Sequence, residues 1–335
     1  MSLPSETVLL SNIAVSVWQS KLRDFVTDDF FGVIPLFEKL YLNDGGEGTV
    51  IRFEGGREIA STILYNAPVT TSYGPGATAD TSIVQIVTDL IFQWKQVWTP
   101  INLDGLSLAK LAGGPETKLI DYVEKLGEAA FQSHATKLDV MIQGDGTGNS
   151  SLDWDGLLEA INTSSNYSTY GGITRSSTAG DPGNAINGYL NATGGPMSKA
   201  ILEAAYVQTA FNKYMVDLIV TTRTLFGKLW DHVEGADRNA SGPLRDVGFQ
   251  TIRFNGAEVV YDDNVTAGTV WGLNTKMLQM WFLSGNAFTR RSTQYGFTDT
   301  GFPVANQDMT LDQMISYGNF ICVGPRYNFQ LQNVT

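Results

Sequence analysis

The chain has 335 residues, 43% of them hydrophobic and 11% aromatic, enough for one large domain or two modest ones with a real core. Charged residues are only 17% and glycines number 35, which excludes a disordered or coiled-coil chain and points to many turns. Acids outnumber bases 34 to 22, for a net charge of −12, so the chain lacks the cationic excess that general nucleic-acid binding requires.

A single cysteine, Cys322, excludes an intrachain disulfide, and two histidines, His134 and His232, argue against a histidine-based zinc site. Met1 to Ser20 shows no basic stretch ahead of its apolar residues, which argues against a signal peptide. No apolar run reaches the ~18 residues of a membrane span. Asn-x-Ser/Thr triplets such as Asn191-Ala-Thr193 read as chance matches in a chain rich in these residues.

In chain order, Ser20 to Leu42 reads as a short helix followed by an extended piece, interrupted at Pro35, and Asn43 to Gly46 as a turn. Val50-Ile-Arg-Phe53 is a strand leading into a Gly55-Gly56 turn. Ile63 to Tyr73 continues extended, with Pro68 inside it, and Tyr73-Gly-Pro-Gly76 is a loop or hairpin tip. Ser82 to Trp98 fits both periods: Ile83, Val87, Leu90, Ile91, Trp94 and Trp98 for a helix, or Val84, Ile86, Leu90, Phe92, Trp94 and Trp98 for alternation. Enrichment in β-branched and aromatic residues decides for strand. Together these pieces make a long hairpin. A two-stranded ribbon is marginal alone in water, so it needs a surface from its own chain or from a neighbour.

Residues 115–143 form the clearest helix. Pro115 suits its first position and Glu116 its dipole, with Leu119, Val123, Leu126, Ala130, Leu138 and Met141 on one stripe and Gly144 at its end. His134 falls on the stripe and reads as a buried, hydrogen-bonded histidine. Ser198 to Met215 is a second helix capped by Ser198, Val216 to Thr221 a buried strand, and Thr222 the cap of a third helix running through His232. Residues 235–248 are a polar loop. Strands follow at 249–254, 257–261 and 268–273, and the tail ends in strand-like Ile321-Cys-Val and Phe329-Gln-Leu.

The chemistry-bearing motifs are sparse. The phosphate-loop pattern and Gly-x-Ser-x-Gly are absent, and Gly144-Asp-Gly-Thr-Gly148 follows a helix, where it reads as a stop signal. Asp153-Trp-Asp155-Gly156 with Glu159 carries part of a calcium loop, with Asp145 and Asn149 out of register. The competing reading is a turn with acids at a helix N-terminus. Carboxylate pairs are plentiful, but nothing singles out one pair. Arg290-Arg291 is the only adjacent basic pair and reads as a solvated face. No catalytic residue, metal or cofactor is assigned.

Several stretches, in order, resemble the major capsid protein of tailed bacteriophages (the Hong Kong ninety-seven type fold). Trp98-Thr-Pro-Ile-Asn-Leu-Asp-Gly-Leu106 resembles the exit from that family's extended loop. Met141 to Thr147, then Trp154-Asp-Gly-Leu157, resembles the end of its spine helix and the short helix after it. Tyr170-Gly-Gly-Ile173 with Arg175 resembles an early axial-domain segment. Asp217 to Thr222 resembles its strand-to-helix unit, and Gly318-Asn-Phe, Gly324-Pro-Arg-Tyr-Asn328 and Asn333-Val-Thr335 resemble the final peripheral strands.

The resemblance implies an α+β fold: an N-terminal arm (1–45), an extended β-hairpin loop (46–100), a peripheral domain (101–160) with its spine helix, an axial domain (161–274) and returning peripheral strands (275–335). It implies a shell protein forming pentamers and hexamers around double-stranded DNA, without sequence-specific binding or a membrane, assembled in the host cytoplasm into the virion capsid. A portal, and as an optional addition a decoration protein, would be partners. Only ~45 residues precede the hairpin, which leads us to expect a separately encoded scaffold. Residues 49–94 contain no lysine and Lys95 sits at the base, so no isopeptide cross-link through the loop is expected.

Interface candidates are Arg52, Glu54 and Arg57 as intersubunit ion pairs, and Tyr65, Tyr73 and Pro75 toward the loop tip. Trp18 and Phe25 in the arm, and Arg238 and Arg245 in the polar loop at the capsomer centre, complete the set. An encapsulin-like cargo compartment on the same fold and a β-rich carbohydrate-active enzyme are the alternatives.

Overall fold

The computed structural model describes residues 34–42, 50–76, 78, 82–106, 116–210, 214–232, 252–290, 302–303 and 308–335. The first described element is α1 (Pro35–Leu42). Pro35 does not interrupt a helix; it opens one, because the N–H it lacks has no intrahelical partner at the first position. The amide of Glu38 bonds back to Ile34 O at 3.0 Å. Leu36, Phe37 and Leu40 are fully buried in the chain's own core.

Strands β1 (Val50–Phe53), β2 (Ile59–Leu64), β3 (Val87–Phe92) and β4 (Lys95–Asp104) follow. The expected continuous hairpin is confined to β2 and β3, which pair antiparallel from Ile59↔Phe92 to Leu64↔Val87. Beyond Leu64 the ladder stops, as the stretch holding Pro68, Gly74 and Pro75 cannot sustain it. Outside the hairpin, β1 and β4 leave each other and join a different sheet.

That first sheet is built on β15 (Met309–Cys322), which follows far along the chain, after α2 (Glu116–Gln143) and ten further strands among the described residues. β4 pairs antiparallel with β15 along its whole length, from Lys95↔Gly318 to Asp104↔Met309. On the other side β15 takes β12 (Leu278–Leu283), and β12 takes β1 in parallel. Two short strands, β13 (Thr289–Arg290) and β14 (Phe302–Pro303), also pair with β15. The 28-residue α2, about 42 Å long at ~1.5 Å per residue, lies against this sheet. Its stripe of Ala130, Phe131, Ala135, Leu138, Met141 and Ile142 is buried with Val97, Ile101, Met280, Phe282, Met314 and Phe320 in one cluster. The helix bounds agree with the sequence reading to one residue.

After α2, Asn149, Ser150 and Ser151 turn left-handed (φ 50°, 60° and 65°), and α3 (Leu157–Ala160) follows. β5 (Thr169–Tyr170) and β6 (Ile173–Thr174) form a small hairpin whose turn, Gly171-Gly172, has φ of +54° and +78°, a geometry that glycine adopts without strain.

The second sheet runs β7 (Tyr189–Asn191), β16 (Phe329–Leu331), β11 (Val270–Leu273), β8 (Leu218–Thr221), β10 (Ala257–Tyr261) and β9 (Ile252–Phe254). β8 is buried at all four residues, as its apolar run requires when both faces are covered. α4 (Lys199–Thr209) is capped by Ser198, whose side chain accepts from Ile201 N–H at 3.4 Å. α5 (Arg223–His232) has Leu225 N–H directed at Thr222 Oγ1 at 3.5 Å. α4 ends at Thr209, short of the expected Met215. The last strand also departs from expectation: Phe329–Leu331 does not return to the first sheet but sits between β7 and β11 in the second. A three-residue apolar strand carries no register information about its partner.

His134 is fully buried and bonded on both ring nitrogens, to Thr99 Oγ1 at 2.9 Å and Ser316 Oγ at 2.8 Å. Arg290 is not part of a solvated face: it forms a largely buried ion pair with Asp312. Among the described residues no helix is long and apolar enough to cross a membrane.

Candidate assembly surfaces

The hairpin divides into a braced root and an uncovered outer half. At the root, Ile59 and Ile63 on β2 and Leu90 and Phe92 on β3 are buried. Ile91 N–H donates to Gly171 O at 3.0 Å, and Phe92 meets the Tyr170 ring edge-on at 5.2 Å. A Cβ on Gly171 would lie 2.8 Å from the Leu90 side chain, so only glycine permits this approach. Tyr170 is locked in turn: its hydroxyl accepts from Cys322 N–H at 2.9 Å and donates to Cys322 O at 3.2 Å. Burial pushes the Cys322 thiol up to about 12, so it is held as an inert thiol.

A polar knot fixes the junction between β3 and β4. Asn319, fully buried on β15, donates to Gln93 O at 3.0 Å and to Asp155 Oδ2 at 2.6 Å, and accepts from Asp155 N–H at 3.0 Å. Lys95 Nζ reaches Asp155 Oδ1 at 2.8 Å and also donates to Asp153 O at 2.5 Å. Lys137 pairs with Asp153 Oδ2 at 2.7 Å, and Asp145 accepts from Thr147 and from Tyr167. Three of the acids that resembled part of a calcium loop, Asp145, Asp153 and Asp155, are therefore engaged by ammonium groups and hydroxyls. Among the described residues no cluster of three metal-ligating side chains exists.

Beside the knot, Arg175 donates to the backbone oxygens of Glu159 (2.6 Å), Ala160 (3.1 Å) and Asn162, closing the C-terminal end of α3. Burial, reinforced by the Asp155 charge, raises Glu159 to about 7.

Among the described residues nothing covers the outer half. Leu64, Val69, Tyr73 and Ile83 are between 71% and 100% exposed, and Ile86, Val87 and Ile91 are exposed beside them. At ~1.5–3 kcal/mol for each large apolar side chain removed from water, this stretch gains much from a partner surface. A second apolar feature is a groove of about 760 Å³ along β4 and the end of α2, where Trp98 and Leu152 are more than half exposed among Trp94, Val97, Met141 and Tyr317.

The sequence-based interface candidates scatter over these surfaces. Tyr73 and Pro75 are exposed at the outer end of the hairpin, and Tyr65 is half-buried. Arg52 and Glu54 are exposed on and just after β1, in the first sheet, away from the hairpin ladder. Arg57 lies 4.0 Å from Glu58 of its own chain, both solvated, a geometry that contributes ~0–1 kcal/mol. Trp18, Phe25, Arg238, Arg245 and the polar loop 235–248 lie outside the described residues. Sequence reasoning did not single out Ile83 and Leu64, exposed apolar residues whose place beside the tip signalled them. It also missed the Asn319 knot, for which no local signal exists.

No family model and no curated protein matches this sequence. Solved structures do. The chain is similar to the capsid asymmetric unit of cyanophage A-1(L), with a TM-score of 0.63 and 13% identity over 85% of this chain and 90% of that one. It is similar to Mycobacterium phage Bobi (TM-score 0.51, 13% identity, 85% and 88% covered). It is also similar to the holo-SrpI encapsulin complex from Synechococcus elongatus (0.53, 10%, 88% and 87%). The architecture is thus one found in closed protein shells. More particularly, two sheets, a long helix on the first and a projecting hairpin constitute the tailed-phage major capsid fold.

Proposed function

We propose that this chain is a major capsid protein, whose copies assemble into pentamers and hexamers that tile an icosahedral head around double-stranded DNA. The observation that carries the reading is the uncovered outer half of the hairpin, where Leu64, Val69, Tyr73 and Ile83 face solvent. In a ring of identical heterologous contacts, each hairpin crosses a neighbour and buries this apolar stretch, and the contacts close. The net charge of −12 supports a lining that holds DNA without gripping it. In this reading a separate scaffold guides assembly, a portal occupies one vertex, a decoration protein is an optional addition, and the shell is a virion component formed in the host cytoplasm. No loop cross-link forms, since Lys95 is committed to Asp155. In this reading the chain is a structural subunit rather than an enzyme, and burial holds both the Cys322 thiol, at about 12, and the His134 imidazole, at about 4, in their neutral forms.

The test is particle mass by light scattering, with negative-stain imaging, of the chain expressed with and without a co-encoded scaffold. Shells or rings are expected from the native chain. Ile83→Asp with Leu64→Asp should leave a folded monomer that does not assemble. Assembly unaffected by the double substitution would overturn the hairpin's role, and a chain that stays monomeric with its scaffold would overturn the capsid reading. Shells that close without scaffold and hold a specific protein cargo would favour the encapsulin-like alternative.

A further inference from the structure

Helix α1 ties three parts of the fold together through its first turn. The backbone N–H of Phe37 hydrogen-bonds Asp139 on α2, and that of Leu36 hydrogen-bonds Asp262, which follows β10 of the second sheet. Both carboxyls are essentially inaccessible to solvent, at 0% and 1% exposure. Asp139 Oδ2 accepts from Gln143 Nε2 and Asn264 Nδ2, each at 2.8 Å, and Asp262 Oδ1 accepts from Asn264 N–H at 2.9 Å. Each keeps one buried oxygen, Asp139 Oδ1 and Asp262 Oδ2, without a hydrogen-bond partner. Two acids from distant parts of the chain thus grip one helix end, linked through Gln143 and Asn264, with spare oxygens cut off from water.

The charges around the pair do not neutralise it. Lys39 on α1 is committed to Glu258 of β10 at 3.0 Å. Glu38, also on α1, is itself buried with both oxygens unpartnered, and burial raises it to about 7. Asp263 adds further negative charge beside Asp262 and pairs outward with Arg223 at 2.9 Å. Gln143 and Asn264 are neutral. Among the described residues no cation is paired with either carboxyl, so two ionised carboxylates in this setting would repel each other.

We propose that Asp139 and Asp262 form a proton-operated clasp: a proton on either carboxyl removes their mutual repulsion and holds α1 against α2 and the second sheet, and its loss loosens that three-way joint. Burial holds both groups above the ordinary carboxylate range, and the Asp262 charge raises Asp139 further. The sign follows. A carboxyl whose folded pKa is raised stabilises the joint fully below the unfolded value, and that contribution is lost as pH rises through the folded pKa. Acid closes the clasp and alkali opens it.

The experiment is amide hydrogen exchange on the full-length chain from mildly acid to mildly alkaline pH, corrected for intrinsic exchange. It compares the peptide covering α1 with the peptide covering α5. One proton linked to opening gives about a tenfold loss of protection per pH unit through the titration. That loss is expected for α1 and not for α5. Asp139→Asn and Asp262→Asn keep the shape and the acceptor, and in whichever of them folds the α1 slope should flatten. Glu38→Gln should remove only the part of the slope that Glu38, itself raised to about 7, contributes, and leave the part due to the Asp pair. Protection of α1 that is independent of pH in the native chain would overturn the clasp. So would a slope that survives both Asp substitutions undiminished, or one abolished by Glu38→Gln alone.

Discussion

Acidification should expose the cost of keeping His134 neutral. The ring is fully buried between α2, β4 and β15, in edge contact with Phe288 at 5.3 Å, and burial lowers its pKa from 6.5 to about 4. Ser316 Oγ accepts from Phe288 N–H at 3.1 Å and meets His134 Nε2 at 2.8 Å, while Thr99 Oγ1 meets Nδ1 at 2.9 Å, so a neutral ring can donate at one nitrogen and accept at the other. An imidazolium would have to donate at both nitrogens, so neither hydroxyl could donate to the ring. A depressed histidine pKa contributes stability above the unfolded pKa of 6.5, and that contribution disappears as pH falls through about 4. The shift from 6.5 to about 4, at ~1.4 kcal/mol per unit, corresponds to about 3 kcal/mol. The assay is urea unfolding of the unassembled native chain and of His134→Gln, at neutral pH and at pH 4. The substituted chain should be the weaker at neutral pH, because the ring packing is lost. Its disadvantage should shrink by about 3 kcal/mol in acid. Carboxyl titrations common to both chains cancel. A difference that does not change with pH would refute the claim that the fold holds this imidazole uncharged.

Four further outcomes are expected. Trp154→Ala removes a fully buried ring packed edge-on against Phe282 at 5.4 Å, and should cost about 3–5 kcal/mol in the same unfolding assay. Gly318→Ala places a Cβ 2.1 Å from Trp281 O within the β12–β15 ladder; a loss of about 1–3 kcal/mol is expected, and an unchanged midpoint would contradict the register. Lys95→Met strips Asp155 of its ammonium partner and should cost about 2 kcal/mol, with faster amide exchange at Ile91 and Phe92 if the knot braces the hairpin root. Glu159→Gln removes a carboxyl whose ionisation is disfavoured in the fold. It should stabilise by about 1–3 kcal/mol above pH 7, and the gain should vanish below the ordinary value of 4.5.

What the sequence revealed was local. The α2 stripe announced itself by its period, Ser198 and Thr222 by their capping chemistry, and β8 by an apolar run between polar ends. Between Ser82 and Trp98, strand was the right choice, but no single alternation spans the stretch. Leu90 and Phe92 point inward on even positions, Val97 and Ile101 on odd ones, and Trp98 faces out. The phase flips across Gln93-Trp94, where Asn319 holds the chain between two strands that belong to different sheets. That break depends on a residue far along the chain, so no window around Trp94 contains it. The same holds for β1, whose partner β12 is fixed by packing, and for Asp139, which looks like an ordinary polar position on a helix until Asp262 is brought beside it. Pro35 misled because its effect depends on whether a helix begins or continues there.

The way β15 gathers its neighbours has a consequence for the time course of synthesis. β4 has no partner in the first sheet until β15 exists, and the Asn319–Gln93 bond joins residues 226 positions apart. At ~5–20 residues per second, a ribosome needs roughly 10–45 s to cover that distance. For that interval the apolar side of β4 and the stripe of α2 have no sheet to close on. Pairings this distant also fold slowly once available. Newly made chains therefore pass through a prolonged unfinished state in which the hairpin root is not yet set. A chain in that state cannot present its outer hairpin at a defined angle, so folding to completion comes before docking on a neighbour.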